Sequence, residues 1–270
     1  MKVLKNIDVL KKAINNISNL GFVPTMGGLH KGHLSLIKES LKKCKITIIS
    51  IYVNPKQFNK KSDFLNYPRN IKKDLDSLKK IKVDYVFIPN KEEMNKIKIN
   101  KKIILPKSQK ILCAKFRKGH FEGVLDVMGK FTKLIKPKYI FMGEKDFQQF
   151  FLVRNFIRNN YKSRIYFCRT IRDINKVALS SRNTLLSKKQ LYKAGLIAKT
   201  LIKLKSEISK KKFINNNLNI TKKKLIKKFK IKIDYLEIRN EKDLKLSDTK
   251  NKFKLFIAYY IKKIRLIDNF

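Results

Sequence analysis

The sequence predicts an α/β protein in which a Rossmann-like parallel sheet, residues 1–169, precedes a smaller α+β domain, residues 170–270. Three observations predict it. Short β-rich runs alternate with amphipathic helical patterns through the first 170 residues. Two of those runs pass into glycine-containing loops that open a helix. After about residue 170 the texture changes to a lysine-rich helical stretch followed by two short β-rich runs.

Taken in order, Gly21–Pro24, Ile46–Val53, Asp84–Ile88, Tyr139–Met142 and Arg164–Cys168 are the β-rich runs expected as strands of the sheet. Between them, His33, Leu34, Ile37 and Leu41 recur at helical spacing, and so do Val124, Val127, Met128, Phe131 and Ile135. Strands separated by helices in this way are wired in parallel. In the second part, Lys188–Lys230 reads as helical, with Lys210–Lys224 left open because Lys and Asn dominate it. Asp234–Arg239 and Leu255–Tyr260 are the two further strands. No true repeat or long linker interrupts the chain.

A chain of 270 residues with 43% hydrophobic content can bury a substantial core. No apolar run reaches the roughly 18 residues needed to cross a bilayer. The opening MKVLKNIDVLKKAINN also lacks the apolar stretch of a signal peptide, so a cytoplasmic protein with no membrane partner is expected. Cys44, Cys113 and Cys168 are odd in number and form no C-x-x-C pair, which argues against a disulfide framework and a zinc site. The net charge of +46 would by itself suggest nucleic acid. However, lysines outnumber arginines 56 to 10 and are spread through nearly every segment. That is a drift of composition rather than a phosphate-binding patch, where arginine forks are expected. No specific nucleic-acid partner follows, and any binding should be non-specific and weakened by salt.

Four stretches bear chemistry. In the first, FVPTMGGLHKGHLSLI (residues 22–37), a strand enters a loop with Gly27, Gly28 and Gly32 and then an amphipathic helix beginning near His33. Glycines admit a ligand close to the backbone, and a helix start presents unpaired N–H groups to an anion. Two of the chain's three histidines, His30 and His33, fall at that point as extra donors. The plainer alternative is that both are merely hydrogen-bonded at the helix start. Neither a G-x-x-x-x-G-K-[ST] loop nor G-x-G-x-x-G occurs. The second stretch, SIYVNPKQF (50–58) with YPR (67–69), delivers Gln57 to the strand edge where open α/β sheets bind ligands, unless it is a simple turn residue. In the third, FMGEKDFQQ (141–149), Lys145 could meet a phosphate and Asp146 a ribose hydroxyl. There Gln149 could join Gln57 on a polar, uncharged group, and the alternative is a solvated Lys and Asp at a helix start. The fourth, ALSSRN (178–183), offers two hydroxyls and a guanidinium to a triphosphate, or else Ser180 or Ser181 as a helix cap.

In this order PTMGGLHKGH, SIYVNPKQF with YPR, GHFEGV, FMGEKDFQQ, LSSRN, IDYLEI and RLIDN resemble the pantothenate synthetase family over nearly the whole chain. The resemblance implies a homodimeric, AMP-forming ligase of the H-x-G-H nucleotidyltransferase type, with a C-terminal lid domain. Its substrates would be ATP with Mg²⁺, pantoate and β-alanine. It further implies that Met26, Gly27, Gly28, Leu29, His30, Lys31, Gly32 and His33 line the ATP site, with His33 catalytic. Gly143, Glu144, Lys145, Asp146, Ile171, Leu179, Ser180, Ser181 and Arg182 would be further ATP contacts. Gln57 and Gln149 would bind pantoate, and Gln57 also β-alanine. The chain departs from the family pattern at Gly28 (usually alanine), Lys31 (usually glutamate) and Lys118 (usually proline). It also lacks a glycine common before the arginine of YYIKKIRLIDN. The implied reaction adenylates the pantoate carboxylate and transfers the pantoyl group to the amine, yielding pantothenate. Another H-x-G-H nucleotidyltransferase, a basic nucleic-acid-binding protein and an inactive remnant are the alternatives.

Overall fold

The computed structural model describes residues 1–59, 61–99, 103–210, 215–247 and 252–270. Its chain divides into two compact units, Met1–Arg169 and Thr170–Phe270.

The first unit runs β1 (Lys2–Leu4), α1 (Ile7–Ile14), β2 (Leu20–Thr25), α2 (Lys31–Lys43), β3 (Ile46–Ile51), α3 (Lys61–Leu65), α4 (Ile71–Lys80) and β4 (Tyr85–Phe87). It continues with α5 (Lys91–Lys96), α6 (Cys113–Phe116), α7 (His120–Ile135), β5 (Tyr139–Gly143), α8 (Phe147–Asn160) and β6 (Arg164–Cys168). The six strands form one sheet in the order β1-β4-β3-β2-β5-β6, with every pairing parallel. Strands of such a sheet are covered on both faces, and β3 accordingly reads ITIISI with five of its six residues buried. On one face Ile37, Leu78 and Val83 pack with Val23, Ile49, Val86 and Phe141 of the strands. On the other, Phe131 of α7 meets Phe22, Tyr52 and Phe87 at ring separations of 5.4, 6.3 and 6.3 Å.

The sheet order reverses at β2, because the chain proceeds to β3 and β4 on one side and later returns to β5 on the other. Ligands of open α/β sheets bind at such a reversal, beyond the C-terminal strand ends. Here the strands part in that direction. β2 pairs with β3 through Thr25, but with β5 only at Gly21 and Phe22. Pro24 lies beyond that last pairing with β5. Leu20 points its carbonyl to the β5 side and Thr25 to the β3 side, so Pro24 faces the β5 side and its missing N–H removes no ladder bond.

The second unit holds α9 (Lys188–Lys210), α10 (Asn215–Phe229) and an antiparallel sheet of β7 (Lys232–Asn240), β8 (Phe253–Ile261) and β9 (Ile264–Asn269). Ala194, Ile197, Leu201, Leu204 and Ile208 recur three or four residues apart on α9 and pack with Ile233, Leu255 and Ile257 of the sheet.

The elements depart from expectation in several places, and most strand bounds shift by one or two residues. Three-residue β1 is too short to show alternation, and β9 was legible only as a family-like segment. β3 stops at Ile51 rather than Val53, because Asn54 caps and Pro55 opens a 3-10 turn. The lysine-rich stretch is two helices, and residues 211–214 of the open segment Lys210–Lys224 lie outside the described residues.

Candidate active site

Beyond β2, the loop from Met26 turns through Gly27 (φ 79°) and Gly28 (φ 64°), left-handed conformations that a side chain strains. Two anchors hold it. Thr25 Oγ1 donates to the Ser50 carbonyl at 2.7 Å and accepts the Gly27 N–H at 3.2 Å. Asp74 of α4, 3% exposed, accepts the Gly28 N–H on Oδ2 at 2.9 Å and the Leu29 N–H on Oδ1 at 2.8 Å. The sequence reading missed Asp74, which lies 46 and 45 residues from its partners.

His30 is the N-cap of α2: its Nδ1 accepts the Gly32 N–H at 3.1 Å. His33, one turn on, returns the contact, its Nδ1 accepting the His30 N–H at 3.4 Å, so the two imidazoles form a reciprocal capping box. Their rings lie 4.1 Å apart. A nitrogen that accepts a hydrogen bond carries no proton, so a neutral ring in either position holds its hydrogen on Nε2. Both rings are neutral. Burial, and after it the charge of Lys145, lowers His30 from 6.5 to about 4. Burial, and after it the neighbouring His30, lowers His33 from 6.5 to about 3. The helix start therefore offers two Nε2–H donors without imidazolium charge.

The third stretch joins them. Gly143 ends β5, Glu144–Asp146 form a 3-10 turn, and α8 follows. Lys145, its side chain 18% exposed, lies 3.4 Å from Asp146, and both charges act on His30 and His33. Of the two glutamines that follow, Gln148 is buried and donates to the Ile111 carbonyl at 2.7 Å. Gln149 is half-buried with its amide not hydrogen-bonded among the described residues. Beyond β3, Gln57 is buried at the end of the 3-10 turn Pro55–Gln57. Thus Met26–His33, Gln57, Gly143–Asp146 and Gln149 all follow the C-terminal ends of β2, β3 and β5.

Ile171, Leu179, Ser180, Ser181 and Arg182 belong to the second unit. The Leu179 N–H donates to the Ile171 carbonyl at 2.9 Å, closing a hairpin. Ser180 caps the 3-10 turn Ser181–Leu185, accepting the Arg182 N–H at 3.3 Å, as the capping alternative expected. Arg172 ties this hairpin to β9 with two bonds to Asp268, at 2.7 and 2.9 Å.

The histidines set a pH dependence. The unfolded chain takes up protons below about 6.5 that the folded site refuses until about 4 and 3, so stability falls as pH drops through that window. The slope is at most about 1.4 kcal/mol per pH unit for each ring. Urea unfolding at stepwise lower pH should show it, and the double variant His30→Gln, His33→Gln should lose that share of the slope. An unchanged slope would mean that the rings are not held neutral.

A parallel sheet whose reversal point presents a glycine loop and a paired H-x-G-H helix start defines an α/β protein of the H-x-G-H nucleotidyltransferase type. A family model described as pantoate-beta-alanine ligase matches residues 2–270, and the chain belongs to that family. It is 40% identical to the pantothenate synthetase of Endomicrobium trichonymphae, covering 100% of this chain and 97% of that protein. Identity to that of Thermosipho africanus is 37%, covering 100% and 99%. Among solved structures it resembles pantothenate synthetase from Thermus thermophilus, with a TM-score of 0.92 at 28% identity over 100% and 99% of the two chains. It also resembles the pantoate-beta-alanine ligase of Francisella tularensis complexed with beta-gamma ATP and beta-alanine, with a TM-score of 0.84 at 33% identity over 100% and 97%. Among the described residues no helix is long and apolar enough to cross a membrane, and no cluster of metal-binding side chains occurs.

Proposed function

We propose that this chain condenses pantoate with β-alanine at the expense of ATP, through a pantoyl adenylate, giving pantothenate, AMP and diphosphate. The observation that supports it most is the reciprocal pair of neutral imidazoles at the start of α2, beside Lys145. A carboxylate offers an amine no useful leaving group until it is esterified to a phosphate. Its attack on the α-phosphorus of ATP builds charge on the phosphate oxygens. In this reading His30 and His33 through Nε2–H, the α2 N-terminus and Lys145 receive that charge, and no protein nucleophile is needed. A neutral donor suits the task, because it needs no proton transfer.

In this reading Met26–His33, Gly143–Asp146, Ile171 and Leu179–Arg182 contact ATP, with His33 catalytic. Gln57 and Gln149 hold pantoate, Gln57 also meets β-alanine, and the second unit acts as a lid bringing Ser181 and Arg182. Asp74 has both oxygens committed to loop amides, whereas Asp146 sits beside Lys145 and acts electrostatically on both rings. A carboxylate of the Glu144–Asp146 turn would hold Mg²⁺, which when bound would neutralise phosphate charge. A cytoplasmic homodimer completes the reading. An assay that omits pantoate, β-alanine or ATP in turn tests it: pantothenate should appear only with all three. Its formation without ATP, or its absence from the complete mixture, would refute the proposal.

A further inference from the structure

The third histidine lies outside the nucleotide loop, and its surroundings give it a different task. His120 begins α7 and is 7% exposed. Its Nδ1 is 2.7 Å from the main-chain carbonyl oxygen of Gln57, a group that can only accept, so Nδ1 must be the donor. The other nitrogen, Nε2, lies 2.8 Å from Nη1 of Arg117, a group that can only donate, so Nε2 accepts. The same Arg117 sends Nη2 to the same Gln57 carbonyl at 3.0 Å. The ring is thereby fixed as the Nδ1–H tautomer, opposite to that of His30 and His33.

Two further contacts seat the turn that carries Gln57 on α7. Asn54, which caps the turn by accepting the Lys56 N–H, donates its Nδ2 to the Gly123 carbonyl at 2.9 Å. The turn also packs so closely on Gly123 that a Cβ there would lie 2.5 Å from the Lys56 carbonyl oxygen. Side chains of Asn54 and His120 and the close approach of Gly123 to Lys56 thus hold the turn at both ends.

We propose that His120 is a positioning residue which, braced by Arg117, clamps the Gln57 carbonyl so that the Gln57 amide meets pantoate in one orientation. The inference rests on the reading of Gln57 as a pantoate contact. It names His120 as a determinant of pantoate affinity that never touches pantoate. Asn places its amide nitrogen about where Nδ1 of histidine lies and Gln about where Nε2 lies, so the two replacements separate the clamp from mere space filling.

Steady-state kinetics of His120→Asn, His120→Gln and Gln57→Ala test it, alongside ¹⁵N NMR of the wild-type imidazoles. Losing the bond to a buried carbonyl should raise the pantoate KM about ten- to hundredfold in His120→Gln. The ATP KM should stay within about twofold, and His120→Asn should restore most of the pantoate affinity. Equal effects of Asn and Gln, or an equal rise in both KM values, would overturn the clamp. So would a wild-type His120 ring protonated on Nε2 instead of Nδ1, a result that does not depend on any substrate assignment. An unchanged pantoate KM in Gln57→Ala, with the Nδ1–H tautomer seen, would overturn the reading of Gln57 and the inference with it, while leaving the hydrogen bond itself in place.

Discussion

Replacing His33 with alanine is expected to lower the rate of adenylation about 10²- to 10³-fold, the usual effect of deleting one donor to a charge that develops in the transition state. The structure narrows the reason. His33 commits Nδ1 to the His30 N–H, so only Nε2 is left to donate, and the ring is neutral because burial and His30 hold it near 3. Two consequences follow. The adenylation step should not show an acid limb from His33 titration until well below the ordinary histidine range. His33→Gln, whose amide nitrogen can stand near Nε2, should retain more activity than His33→Asn. Rapid-quench measurement of enzyme-bound adenylate from ATP and pantoate separates chemistry from binding. Unchanged adenylation with weakened pantoate affinity would show that His33 serves the acid and not the phosphate.

Removing Asp74 should also have a large effect, on stability and ATP binding together, although Asp74 contacts no substrate in this account. Its carboxylate is the acceptor for two N–H groups of a loop whose glycines already stand at positive φ. Hydrogen bonds to a charged partner contribute about 1.5–3 kcal/mol each, so Asp74→Ala should lower unfolding free energy by about 3–6 kcal/mol, less whatever the loop recovers by turning its amides to water. That recovery would misplace the loop. A smaller loss of stability should therefore accompany a larger rise in the ATP KM, which should reach at least about tenfold. Asp74→Asn should fall between, since its oxygen accepts one amide while its nitrogen faces the other. Urea unfolding and ATP kinetics on the same proteins check this, and an unchanged ATP KM in Asp74→Ala would show that the loop does not need its clasp.

The five strands expected for the parallel sheet, the two expected for the second unit and the helix starting near His33 were legible because β-rich runs alternate with helical spacing, and two of those runs pass into glycine loops. So was the concentration of two histidines at one helix start. What they do to one another was not. The choice of tautomer depends on which nitrogen meets which backbone N–H, and spacing alone does not fix that. Asp74 and His120 escaped for a related reason. Their partners lie 46 and 63 residues away, and a carboxylate on a helix or a histidine in GHFEGV has no local pattern that betrays a distant loop amide or carbonyl. Gln148 and Gln149 are indistinguishable by type, and only the fold separates the buried one, bonded to Ile111, from the half-buried one. The lysine excess scarcely reaches the core: among the described residues Lys254 of β8 is the one buried lysine, and the buried positions of β3 and α9 are those that parallel-strand and helical patterning require.

The most direct test follows the oxygen. Pantoate labelled with ¹⁸O in its carboxylate is supplied with ATP and Mg²⁺, and β-alanine is added after the adenylate has formed. The carboxylate oxygen that attacks the α-phosphorus leaves with it when the amine displaces AMP, so one label per turnover should appear in AMP, with diphosphate as the other phosphorus product. Label in inorganic phosphate, or ADP formed in step with pantothenate, would place the attack on the γ-phosphorus and contradict the role assigned to the His30 and His33 helix start.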